Sequence, residues 1–154
     1  MSPVIVPTTP QERQLQQKMM AIRTSLMRHD RRPLEGLRVL LVEDSEDNQT
    51  LFQWMLSKEG ANVEVASNGA EGIEQALEGK HHLVLMDLQM PVMGGHEATR
   101  TLRQLGFRKP IVALTACSES EERGRCMQSG FNHFLSKPLE QETLYSLLKQ
   151  IPRP

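Results

Sequence analysis

Four short apolar runs in this 154-residue chain each end on polar residues of the kind that handle phosphate or metal. Leu37-Arg-Val-Leu-Leu-Val42 is followed by Glu43-Asp44. His82-Leu-Val-Leu-Met-Asp87 ends on a carboxylate that enters the turn Leu88-Gln-Met-Pro-Val-Met-Gly-Gly95. Ile111-Val-Ala-Leu114 leads to Thr115, and Phe134-Leu-Ser136 leads to Lys137. A carboxylate carried by a buried strand into a Pro/Gly turn is poorly placed for stability and well placed for chemistry. Clustered acids raise one another's pKa unless a cation joins them. Hard oxygen ligands with room for water select Mg²⁺, with Mn²⁺ as the alternative. Asp87 is the natural nucleophile, because a carboxylate can attack phosphorus. Lys137 and the metal would neutralise a transferred phosphoryl group, and Thr115 would hydrogen-bond one of its oxygens. Each feature has a plainer explanation by itself. Asp44 or Ser45 could cap a helix, Asp87 could be a turn residue, and Lys137-Pro138 could end a strand and start a helix. Those explanations must coincide four times, whereas a shared site needs one arrangement.

The elements that would position these groups alternate along the chain from Leu37 onward. Strands are expected at 37–42, 62–66, 82–87, 110–114 and 132–136, and helices at 46–59, 69–79, 94–106, 119–129 and 139–151. The first, third and fourth strands are nearly all apolar, as strands covered on both faces must be. Leu51, Phe52, Met55 and Leu56 form one helical stripe, and Leu144, Leu147, Leu148 and Ile151 another. Gly60 and Gly130 stand where helix C-caps belong, and Pro152 stops the last helix. Such alternation implies an α/β fold, a doubly wound (βα)5 three-layer sandwich with a parallel sheet and right-handed crossovers.

Residues 1–36 read differently. They hold six basic and three acidic groups, against twelve and sixteen in residues 37–154. Residues 1–10 contain three prolines and two threonines and should be extended or disordered. Residues 11–29 read as a short amphipathic helix with Leu15, Met19, Ile22 and Leu26 on one stripe, ended by Pro33. The expected division is therefore a linker or extension over 1–36 and a domain over 37–154.

Composition excludes several roles. The balance of 18 basic and 19 acidic residues gives no general attraction to nucleic acid or anionic membrane, and few aromatics argue against base stacking. No apolar run approaches the roughly 20 residues needed to span a bilayer, and a signal-peptide pattern is missing, so a cytoplasmic location is expected. The two cysteines, Cys117 and Cys126, have neither CxxC nor zinc-motif spacing and read as ordinary thiols in a reducing compartment.

Over residues 37–151 the chain resembles the receiver domain of two-component response regulators and hybrid histidine kinases. The matching stretches are Val39-Leu-Leu-Val-Glu-Asp-Ser-Glu-Asp-Asn48, Leu83-Val-Leu-Met-Asp-Leu-Gln-Met-Pro-Val-Met-Gly-Gly95, Ile111-Val-Ala-Leu-Thr-Ala116 and Phe134-Leu-Ser-Lys-Pro-Leu139. The resemblance implies a flavodoxin-like fold with sheet order 2-1-3-4-5, which gathers Asp44, Asp87, Thr115 and Lys137 at neighbouring strand ends. It implies a phosphoryl group passed from a phosphohistidine to Asp87. Mg²⁺ would be held by Glu43, Asp44, Asp87 and the Gln89 backbone carbonyl. Thr115, the Ala116 backbone and Lys137 would bind the phosphoryl group, and a cis peptide would join Lys137 to Pro138. Thr115 and Phe134 match the family's switch pair, acting on the face made by helix 119–129, strand 132–136 and helix 139–151. Gln89 and Cys117 stand at positions that tune phosphoryl lifetime.

Asn48 and His96-Glu-Ala-Thr-Arg100 look most like the hybrid-kinase branch. Gly94 replaces the family's usual acid before Gly95, which should loosen the loop after the third strand. The implied partners are a histidine kinase dimerisation domain or a histidine phosphotransfer protein. Arg28-His-Asp-Arg-Arg-Pro-Leu34 resembles the phosphorylated-histidine box of sensor kinases but lacks one residue of it, so His29 is expected to belong to a solvated basic helix end. With only three residues after Ile151, no C-terminal output domain is expected. The protein would assist its own modification and then act by binding. A receiver acting alone, or a docking module that has no phosphotransfer role and forms a weak homodimer through residues 11–29, is the alternative.

Overall fold

In a computed structural model of the protein, residues 6, 8–29, 32–116 and 120–153 are described, with side chains 24–29 excepted. The side chain of His29 and all of Cys117 lie outside that set. The chain divides into two compact units, 1–32 and 33–154. The first holds helix α1 (Pro10–His29), whose Leu15, Met19 and Ile22 are each 60% exposed. Its start is capped by Thr9, whose hydroxyl accepts from the Glu12 amide at 3.1 Å while Glu12 reaches back to the Thr9 amide at 3.0 Å. That is a reciprocal capping box.

In the second unit the order is β1 (Arg38–Val42), α2 (Glu46–Ser57), β2 (Asn62–Ala66), α3 (Gly69–Leu77), β3 (Leu83–Asp87), α4 (Gly95–Gln104), β4 (Ile111–Thr115), α5 (Ser120–Ser129), β5 (His133–Ser136) and α6 (Gln141–Leu148). All strand pairings are parallel, and the sheet order is β2-β1-β3-β4-β5, the doubly wound arrangement expected. Strand alternation sends successive side chains to opposite faces. Val39, Leu41, Leu83, Leu85, Val112 and Leu114 pack on one side with α2 and α6. Leu40, Val42, Val84, Met86, Ile111 and Ala113 pack on the other with α4, Cys126 of α5 and Phe131. β3 and β4 are buried along their whole length, as their unbroken apolar sequence requires. Leu34, which composition assigned to the extension, is fully buried in the first cluster, so the packed unit reaches back before Leu37.

Helix ends are fixed by local chemistry. Ser45 caps α2, its side chain accepting from the Asn48 amide. Gly60 (φ +99°) closes α2 with the Gly60 amide on Ser57 O and the Ala61 amide on Leu56 O. This is a Schellman motif that needs the left-handed backbone glycine supplies. The last helix is shorter than the expected 139–151. Glu140 is extended (φ −87°, ψ 131°), and Gln150 and Ile151 close on tight i→i−3 bonds.

Candidate functional site

Parallel strands in register deliver their C-terminal ends to one edge of the sheet. Asp87 pairs across from Leu114, and Thr115 from Ser136, so the groups beyond β1, β3, β4 and β5 line one cleft with Gln89 and Ala116. Glu43 is 1% exposed and Asp87 5%, Thr115 is buried, and Asp44 is exposed at the rim. One carboxylate oxygen from each of Glu43, Asp44 and Asp87 lies within 4.8 Å of the others.

Lys137 ties the buried acids together. Its Nζ is 3.1 Å from Glu43 Oε2 and 3.1 Å from Asp87 Oδ2. The ammonium is aimed by its own backbone, since the Lys137 amide donates to Thr115 O at 2.7 Å and the following Lys137–Pro138 peptide is cis. Glu43 is held from its other oxygen by Asn48 Nδ2 at 3.1 Å, and Gln49 donates to its backbone carbonyl at 2.6 Å. Because Ser45 takes the capping role, the Asp44 carboxylate is left to the cleft. Asp87 Oδ1 accepts a long bond from the Gln89 amide, 3.3 Å.

Burial, and then the neighbouring Glu43 charge, push the Asp87 pKa from 3.8 to about 6 despite Lys137. Burial works against the Lys137 ammonium, but Glu43 and Asp87 outweigh it and hold its pKa above the ordinary lysine value. The pocket therefore carries more negative charge than one lysine neutralises, which is the electrostatic condition for a hard divalent cation.

Gly95 sets how closely α4 approaches this site. A Cβ there would stand 2.3 Å from Asp87 O and 3.0 Å from Leu88 Cα, so no larger residue fits without moving the loop after β3. Gly94 is the N-cap of α4 and makes no side-chain cap bond. Phe134 is half-buried on the next strand, with the Arg123 guanidinium 4.7 Å from its ring centroid.

Two networks, one at the cleft and one at the opposite edge of the sheet, were not read from the sequence. His96, noticed only as part of a family phrase, lines the cleft and bonds Glu122 and Ser129 of α5. Arg103 donates to Gly130 O (2.9 Å), Phe107 O (2.8 Å), Lys109 O (2.9 Å) and Asn132 Oδ1 (2.7 Å), joining the end of α4 to the entries of β4 and β5. The available signal for Arg103 was a lone basic residue in the last turn of an amphipathic helix, which normally reads as a solvated charge.

Residues 39–149 match the family model for the response regulator receiver domain. The chain is 36% identical over 122 residues to the osmosensing histidine protein kinase SLN1 of Saccharomyces cerevisiae, covering 75% of this chain and 10% of that kinase. Among solved structures, it superposes on the receiver domain of sensor histidine kinase PA1611 from Pseudomonas aeruginosa, described with magnesium coordinated in its active site cleft. That match has TM-score 0.70 and 36% identity and covers 75% of this chain and 97% of the other. A second match, TM-score 0.70 at 33% identity, covers 75% of this chain and 88% of a chain in the Saccharomyces cerevisiae co-crystal of the histidine phosphotransfer signaling protein Ypd1 with the receiver domain of Ssk1. Sheet order, the acids gathered around Lys137 and the match over 39–149 agree: the chain belongs to the response regulator receiver domain family of two-component signalling.

Proposed function

We propose that this receiver is a phosphorelay acceptor that takes a phosphoryl group from a phosphohistidine onto Asp87. The observation that carries the reading is a buried strand-end carboxylate 3.1 Å from a lysine ammonium, with two more acids within metal-sharing distance. In the transfer, an Asp87 oxygen forms the new P–O bond as the P–N bond of the donor breaks. The electron pair and a proton go to the departing imidazole. Lys137 holds the Asp87 carboxylate in place and then faces the added negative charge. Glu43, Asp44, Asp87 and the Gln89 carbonyl form an all-oxygen donor set that fits Mg²⁺, and Mn²⁺ suits the same ligands. A bound divalent ion there supplies positive charge opposite the phosphoryl oxygens. The Thr115 hydroxyl and the Ala116 amide are the remaining groups for those oxygens. Movement of Thr115 toward them would leave space for Phe134 to turn inward, changing the α5-β5-α6 face, a local charge event biasing a two-state element.

A histidine kinase dimerisation domain or a histidine phosphotransfer protein is the partner this chemistry needs, and direct nucleic-acid binding is no part of the reading. The likeness to kinase receivers supports an origin in a hybrid kinase, with the segment before Pro33 as its linker and 33–154 as the receiver. No described helix is long and apolar enough to cross a membrane, and we assign the domain to the cytoplasm. The exposed stripe of α1 would give a second copy at most a weak coiled-coil contact, since two heptads pair marginally.

Incubation with Mg²⁺ and acetyl phosphate, followed by intact mass measurement, tests the acceptor. One added phosphoryl group is expected, lost in Asp87→Ala and after metal chelation. An adduct that persists in Asp87→Ala would move the acceptor elsewhere. No adduct from either acetyl phosphate or a phosphorylated histidine phosphotransfer protein would refute the proposal.

A further inference from the structure

A second set of metal-ligating side chains lies between α4 and α5, where His96 and Glu122 form part of the wall of the carboxylate cleft. His96, Glu122 and Cys126 each offer one ligand atom, and these atoms all lie within 4.8 Å of one another. Glu122 and Cys126 are four residues apart on α5 and so share a face, while His96 comes from the first turn of α4. The His96 ring is fixed at both nitrogens: Nδ1 is 2.7 Å from Ser129 Oγ and Nε2 is 3.0 Å from Glu122 Oε1. Its face is set by Phe131, edge-on at 5.7 Å between centroids. Ser129 can accept or donate, but ionised Glu122 can only accept. In the metal-free protein Nε2–H therefore donates to Glu122 and the Ser129 hydroxyl donates to Nδ1; binding a cation at Nε2 would shift the ring proton to Nδ1, which then donates to Ser129. This is how metal-ligating histidines are commonly oriented, with the other ring nitrogen bonded to a neighbouring group.

We infer that His96 Nε2, the Glu122 carboxylate and Cys126 Sγ form a Zn²⁺ site that joins α4 to α5. Nitrogen, oxygen and sulfur together select zinc over Mg²⁺ or Ca²⁺, which prefer oxygen alone. Zinc bonds of about 2.0 Å to nitrogen and oxygen and 2.3 Å to sulfur set ligand atoms roughly 3.3–3.7 Å apart. Closing from within 4.8 Å therefore needs only side-chain adjustment. A proton leaves the Cys126 thiol for solvent as the Zn–S bond forms. Cys126 is 2% exposed, so metal enters from the side of His96 and Glu122, whose side chains are 25% and 17% exposed. Arg125, 3.7 Å from Glu122 Oε2, opposes a cation and limits affinity without blocking the ligand atoms. The site does not depend on the phosphoacceptor reading, because none of its three ligands is among Glu43, Asp44 and Asp87.

The test uses the full chain stripped of metal, in excess Mg²⁺ so that the oxygen-only cleft is occupied. Co²⁺ is the spectroscopic probe and Zn²⁺ the competitor. Expected are a thiolate-to-Co²⁺ absorption band and tetrahedral visible bands saturating at one equivalent and removed by Zn²⁺. They should be lost in Cys126→Ser and His96→Ala, kept in Cys117→Ser, and at least tenfold weaker in affinity in Glu122→Gln. The isosteric Glu122→Gln keeps the test decisive if Cys126→Ser fails to fold. Absence of a thiolate band, its loss in Cys117→Ser alone, or Zn²⁺ affinity within threefold of wild type in both Glu122→Gln and His96→Ala would overturn the inference.

Discussion

Replacing Asp87 by asparagine should stabilise the metal-free protein at neutral pH and do so less as pH falls. Burial and Glu43 raise the carboxyl from 3.8 to about 6 in the folded state. At about 1.4 kcal/mol for each pH unit, ionising Asp87 costs the folded protein about 3 kcal/mol more than the unfolded chain. The favourable Lys137 contact is already inside that figure. A carboxyl whose folded pKa is raised binds its proton more tightly when folded. Its contribution is then fully present below pH 3.8, and is lost as pH rises through about 6. Asparagine keeps the shape and never ionises, but its amide NH2 gains no acceptor beside the Lys137 ammonium, so a net gain of about 1–2 kcal/mol is expected at pH 8. At pH 4.5 the ionisation cost falls to about 1 kcal/mol, so the gain should have disappeared. His82 works in the opposite sense, because burial and then the Arg38 charge lower its pKa, so its contribution is lost as pH falls below the ordinary histidine value. It is common to both proteins and cancels in the difference. Urea unfolding of wild type and Asp87→Asn in EDTA, at a series of pH values from 4.5 to 8, gives the comparison directly. Saturating Mg²⁺ at pH 8 should then stabilise wild type, by about 2.7 kcal/mol at a hundredfold excess over its Kd, and the variant far less. An equal difference at both pH extremes, or a variant less stable at pH 8, would refute the electrostatic account of the site.

Arg103→Ala should cost about 3 kcal/mol in urea unfolding, since it takes the donor from the carbonyls of Gly130, Phe107 and Lys109 and leaves Asn132 Oδ1 with the Ile111 amide alone. Arg103→Lys should recover less than half of that, because a single ammonium cannot reproduce the planar fork; full recovery would show that charge alone matters there. Gln89→Ala and Cys117→Ala should change the lifetime of the phosphorylated protein several-fold while leaving the extent of phosphorylation unchanged. Decay of the phosphorylated mass after donor removal reads this, and an unaltered lifetime in both variants would sink the assignment of those positions.

Strand ends were readable because the parallel sheet makes chemistry and register the same problem. An unbroken apolar run identifies a strand covered on both faces, and its last residue is then at the cleft edge whatever the neighbouring loops do. Asp87 and Thr115, at the ends of two strands buried throughout, were therefore placed from sequence alone. Lys137 needed more than its own segment, since β5 is only four residues with half of its positions exposed. Family resemblance supplied the strand order that brings it beside β4. Helix ends were read too long where an apolar residue continues the stripe beyond the last helical turn, as Leu139 and Ile151 do around α6.

The groups that escaped are those whose partners lie on a different element. Cys126 has no metal spacing to either side in the chain, and its histidine stands thirty residues earlier on another helix. Arg103 likewise has the local look of a helix-end charge; Phe107 and Lys109 follow it closely in the chain, but Gly130 and Asn132 come from the segment before β5 and reach it only through packing. Spacing rules report ligands that share one helix or loop. A site assembled by helix packing leaves in the sequence only residues that suit their own helices, so Cys126 reads there as an ordinary thiol, and its histidine neighbour comes into view only with the position of α4.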